Sequence, residues 1–123
     1  MPTKPLSQKV HVLLKEAEED LRYGCLNKAA SAAYFAARMA VEDMLSGLNT
    51  PIPRRDDKLV HILLNLGHTT EAEALEELYI LRKKADYDRS GITQNEAQRA
   101  LTLALETTAS IEKIIQNHKR GYQ

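Results

Sequence analysis

The stretch from Lys28 to Leu48, KAASAAYFAARMAVEDMLSGL, decides how this chain folds. Ala30, Ala33, Tyr34, Ala37, Val41, Met44 and Leu45 recur at helical spacing as one apolar stripe, and Ala29, Ala32, Ala36, Met39 and Ala40 make a second apolar arc beside it. A helix apolar on most of its circumference is a buried one, and side chains as small as alanine let neighbouring helices approach closely. The polar strip that remains holds Ser31, Arg38 and Glu42, with Phe35 beside it. Other helices must therefore surround this one.

The flanking sequence supplies them. Leu6, Val10, Leu13, Leu14, Ala17 and Leu21 predict a first helix over about Leu6 to Tyr23, stopped by Gly24. After the central helix, Pro51 and Pro53 forbid continuation, and Asp56 offers a cap for a short third helix over Lys58 to Leu66, ended by Gly67. Thr70 and Glu73 have capping-box spacing for a fourth helix starting near Glu71, and Thr93 and Glu96 repeat it for a fifth over about Gln94 to His118. The tail HKRGYQ reads as polar and frayed. The expected fold is all-α: one domain over residues 1–123, an antiparallel up-and-down bundle of four long helices plus one short one. Remnants of the central helix's second apolar arc, left exposed, would call for a homodimer.

Composition narrows the function. Seventeen basic and seventeen acidic residues leave no net charge, so any grip on RNA would be local, for example at Arg54, Arg55 and Lys58. The single cysteine, Cys25, excludes an internal disulfide and a cysteine-based zinc cluster, and it reads as a packed residue of a cytoplasmic protein. No stretch resembles a signal sequence or approaches the ~20 apolar residues of a spanning helix, so no membrane is expected. His11, His61, His68 and His118 are dispersed, with no pair at ligand spacing, and neither metal nor cofactor is expected.

The fourth helix ends in LYILRKKADYDR, Leu78 to Arg89. Arg82 lies on the rim of the stripe through Ala74, Leu78, Leu81 and Ala85, and Asp86 follows it by four residues. A carboxylate near a helix C-terminus meets the negative end of the dipole, and an Arg preceding an Asp is the weaker order for such a pair. Local stability alone does not choose this arrangement.

The segment from Tyr23 to Leu45, with AAYFAARMAVEDML, together with LRKKADYD, resembles the HEPN domain, and more narrowly the small stand-alone prokaryotic members with an Arg followed by Ala-Asp-Tyr. That resemblance implies a dimeric helical bundle often paired, as toxin and antitoxin, with a minimal nucleotidyltransferase, and in many members a metal-independent ribonuclease. The family's ribonuclease motif is an Arg followed by a polar residue and a His. Arg82 matches the arginine, but Lys83 to Ser90 contains no histidine and Tyr87 falls about where it belongs. An unperturbed tyrosine, with a pKa near ~10, is a poor base at neutral pH. The expected function is therefore a binding and association module with a nucleotide- or phosphate-recognising groove built from Arg82, Asp86, Tyr87, Arg38, Tyr34 and Glu42. Its partners would be a second copy, a nucleotidyltransferase, and a nucleotide or RNA. By resemblance Tyr87 is a candidate acceptor of nucleotidyl groups. The alternatives are a ribonuclease in which His61 works with Arg82, and a structural dimer in which Arg82, Asp86, Arg38 and Glu42 form one ion network.

Overall fold

A computed structural model describes residues 6–120; residues 1–5 and 121–123, which include the end of the polar tail, lie outside the described part. Five helices make up the described chain: α1 (Gln8–Arg22), α2 (Leu26–Gly47), α3 (Asp56–Asn65), α4 (Thr69–Tyr87) and α5 (Gln94–Arg120). No strand occurs among the described residues. The fold is an all-α helical bundle.

The central helix is α2, which packs against α1, α4 and α5, whereas α3 packs on α4 alone. Its buried face goes almost all the way round: Ala29, Ala30, Ala33, Ala36, Ala37, Ala40, Val41 and Leu45 have no exposed surface. With alanine at so many contact positions, three neighbours fit around one axis. That geometry corrects one expectation. The second apolar arc is not left as an exposed remnant, because Ala29, Ala32, Ala36 and Ala40 are all buried within the single chain, so this arc supplies no argument for a dimer. The cross-links Lys84–Glu96, Glu77–Arg99 and Glu71–Ser110 run in opposite sequence directions, so α4 and α5 are antiparallel neighbours.

The helix ends are partly as expected. Gly24 and Gly67 follow α1 and α3 with φ of 78° and 87°, the left-handed conformation a side chain resists, and so they stop the helices as their positions predict. At the start of α5 the capping box closes: Thr93 Oγ1 accepts from the Glu96 amide at 3.1 Å, and Glu96 Oε1 accepts from the Thr93 amide at 2.9 Å. The corresponding box at Thr70 and Glu73 does not form, because α4 begins earlier, at Thr69, with His68 in the cap position and no side-chain cap. Asp56 does not cap α3 either. It is the first helical residue, and its carboxylate turns to Arg38 instead. Helix α5 runs through His118 to Arg120, beyond the expected end. Cys25, expected to be packed, is exposed in the turn between α1 and α2, since the chain has already left α1 and the core with it.

Candidate functional site

Tyr34 sits at the middle of the site. It is fully buried on α2, and its ring and its hydroxyl serve different arginines. Arg82, from α4, lays its guanidinium over the Tyr34 ring at 5.0 Å and over the Phe35 ring at 4.8 Å. The two rings meet edge to face, with centroids 5.0 Å apart, so they form an angled cradle under the cation. Cation–π contacts of this kind stabilise by roughly 0.5–2 kcal/mol, more as water is excluded. Arg82 belongs here because it is one step off the buried stripe of α4, and Phe35 belongs here because it is the large residue at the edge of α2's polar strip.

Asp86 lies one turn after Arg82, with its Oδ2 3.3 Å from Nε. That distance makes an ion pair, yet the Nε–H does not point at the carboxylate, and this buried nitrogen has no hydrogen-bond acceptor. We therefore regard the contact as charge pairing without hydrogen bonding. Asp86 is held from the other side by the Ser31 hydroxyl, which donates to Oδ1 at 3.4 Å. Ser31 and Phe35 are one helical turn apart on α2, so the floor of the site is a single edge of that helix. Asp86, Ser31 and Phe35 also border an open groove of about 370 Å³ against α1. Arg82 thus presents a flat, fixed guanidinium that donates no hydrogen bond within the described chain.

Arg38 is arranged in the opposite way. Its NH1 donates to Asp56 at 2.7 Å and to the Tyr34 hydroxyl at 3.4 Å, its NH2 donates to the carbonyls of Pro53 and Arg54, both at 3.1 Å, and its Nε donates to Glu42 at 3.3 Å. The side chain is 13% exposed. Every nitrogen is engaged, and the result is a pin between α2 and the loop leading into α3. The Tyr34 hydroxyl donates to the same Asp56 carboxylate. Burial, and then this carboxylate, push the Tyr34 phenol up to about 12, although Arg38 pulls the other way. Arg38 and Glu42 therefore belong to a separate cluster from Arg82 and Asp86, and the two meet only through Tyr34. The single four-residue ion network of the alternative structural reading is two networks.

Tyr87 is the last residue of α4 and is 80% exposed, beside the site and not part of its floor. His61, offered as an alternative catalytic partner of Arg82, is exposed on α3 and makes no hydrogen bond or ion pair among the described residues. Beside the motif, Lys84 pairs with Glu96 at 2.8 Å, and Lys83 lies over the Tyr79 ring at 5.4 Å. No group of three or more metal-ligating side chains converges among the described residues, and no described helix is long and apolar enough to cross a membrane. Asp56, Ser31 and Phe35 are the site residues that sequence reasoning missed. Phe35 was legible, as the one large apolar residue on α2's polar strip, but nothing local links Asp56 to Arg38 across the intervening loop. Comparison with protein-family models, with curated proteins and with solved structures finds no significant match.

Proposed function

We propose that this chain is a HEPN-like association module that recognises a phosphate-bearing ligand, such as a nucleotide, at Arg82, acting as a homodimer of up-and-down bundles beside a minimal nucleotidyltransferase. The observation that carries this reading is the Arg82 guanidinium, stacked on Tyr34 and Phe35 with no hydrogen-bond acceptor in the described chain. A guanidinium fixed in this way is suited to bidentate contact with a phosphate, since its orientation is set before the ligand arrives. Asp86 positions it without occupying its donors. The half-exposed Phe35 ring, 41% accessible, offers a face on which a base or a second subunit could rest.

Tyr87 fits the acceptor role because its phenol is accessible at the end of α4. In that step the Tyr87 oxygen attacks the α-phosphorus of ATP, the bond to pyrophosphate breaks, and the phenolic proton passes to a base on the partner enzyme. The test has two arms. In the first, ATP binding is measured calorimetrically for the wild type, Arg82→Met and Arg38→Met. Arg82→Met should abolish binding while costing on the order of 1–2 kcal/mol of stability, for the two ring contacts and the partly exposed ion pair together. Arg38→Met should cost about 2–4 kcal/mol in urea denaturation, because it leaves Asp56 without its cation and two loop carbonyls without their donor. Unchanged ATP binding by Arg82→Met would sink the groove. In the second arm the chain is incubated with a minimal nucleotidyltransferase and ATP, and absence of a mass increase on Tyr87 removes the acceptor role.

A further inference from the structure

A second site lies between α4 and α5 and shares no residue with the Arg82 groove. Here a cleft of about 250 Å³ is bordered by Glu71, Glu73 and Glu77 of α4 and by Arg99, Glu106 and Thr107 of α5, so four carboxyl groups face one guanidinium. That guanidinium is already committed, since Arg99 holds Glu77 in a two-pronged contact at 2.8 and 3.1 Å. Two side chains mark the inner end, one of them in the first turn of α4, where the helix dipole favours a carboxylate without supplying a counter-ion. Glu71 is only 9% exposed, and its sole partner is the Ser110 hydroxyl, with no cation at salt-bridge distance. Thr107 is 3% exposed, lines the same cleft, and its hydroxyl makes no hydrogen bond. Neither side chain has an unbonded oxygen sealed from solvent, so both open onto the cleft, where an acid without a counter-ion and a hydroxyl without a partner in the described chain suit a cationic donor.

We propose that this cleft binds a linear aliphatic diamine or polyamine. An ammonium group supplies three hydrogens, enough to serve Glu71 and Thr107 at once. Ala74 and Leu103 line the cleft and suit a methylene chain, and the exposed Glu73 and Glu106 at its mouth receive the second ammonium. The carboxylates are spread along the cleft and do not converge as metal ligands would, which suits a ligand with separated charges better than a point ion. The volume corresponds to about eight waters at roughly 30 Å³ each, sufficient for a short diamine.

The experiment is calorimetric titration of the full chain with putrescine and with spermidine, beside magnesium chloride at matched ionic strength. Saturable binding of the amines, not reproduced by magnesium, is expected. Glu71→Gln keeps the shape and the Ser110 contact but removes the charge, and it should weaken binding by about tenfold or more. Thr107→Val tests the hydroxyl with little change of volume and should weaken it less. Circular dichroism establishes that both variants fold, and Arg82→Met should bind the amines as the wild type does, which separates this site from the phosphate groove. Absence of saturable amine binding, an equal response to magnesium, or wild-type binding by Glu71→Gln would each overturn the proposal and leave a water-filled cleft.

Discussion

Tyr34 divides two arginines that look alike in sequence. Arg38 has an acceptor for every nitrogen and fastens the loop before α3, whereas Arg82 rests on the ring face and keeps its donors. The same tyrosine gives a pH dependence whose sign is fixed. Its folded-state pKa, about 12 against the usual 10, favours the neutral phenol in the folded chain, chiefly through burial and then through Asp56. The associated stability is complete below pH 10 and is lost as the pH rises towards 12. The wild type should therefore lose on the order of 2 kcal/mol more stability than Tyr34→Phe over that interval. Urea denaturation of both proteins at stepped alkaline pH checks this, and parallel curves would show that Tyr34 does not titrate with unfolding. The distinction between the arginines was only half legible. The one-step offset of Arg82 from the apolar stripe put it at the rim, but the acceptors of Arg38 come from a loop whose path no local pattern sets.

At the scale of elements, the two Thr-x-x-Glu sequences are a matched comparison. Thr93 and Glu96 exchange both capping hydrogen bonds, but Thr70 and Glu73 exchange neither because α4 starts before them. Thr93→Ala should cost about 1 kcal/mol of stability, in the usual range for a lost N-cap, and Thr70→Ala should cost a few tenths at most. Thermal unfolding of the two variants decides between them, and equal losses would mean that the caps are not what differs. The end of α4 carries the opposite lesson. Asp86 sits where the helix dipole disfavours it, and the structure supplies its compensation from outside the helix, through Ser31 of α2 as well as Arg82. A residue that local rules do not place is held by a neighbour that local rules cannot see.

Across the whole molecule, the alanines of α2 set the spacing. Ala37 is completely buried in a helix with three packed neighbours. Ala37→Leu has no space to enter without moving one of them and should destabilise the chain by about 1–3 kcal/mol or more. Calorimetric unfolding of that variant provides the measurement, and a neutral result would mean that the bundle is looser than its burial implies. Because the alanine arc of the central helix is covered within one chain, the proposed homodimer must use other surface, such as the exposed Phe35 at the edge of α2 and Ile80 and Tyr87 of α4.

By itself the sequence determined the all-α class, five helices in order and the burial of α2, because each rests on spacing along a few helical turns. It also marked Arg82, Asp86 and Tyr34 as residues of interest. Only the tertiary structure decided that Arg38 is fully engaged by Asp56 and the loop carbonyls, that Arg82 is stacked and uncommitted, that Cys25 and His61 are exposed, and that Glu71 and Thr107 share a cleft. The physical reason is the same each time. Periodicity fixes which way a side chain faces from its own helix, while the partner it meets there belongs to another helix or loop, and the packing of the whole chain selects it.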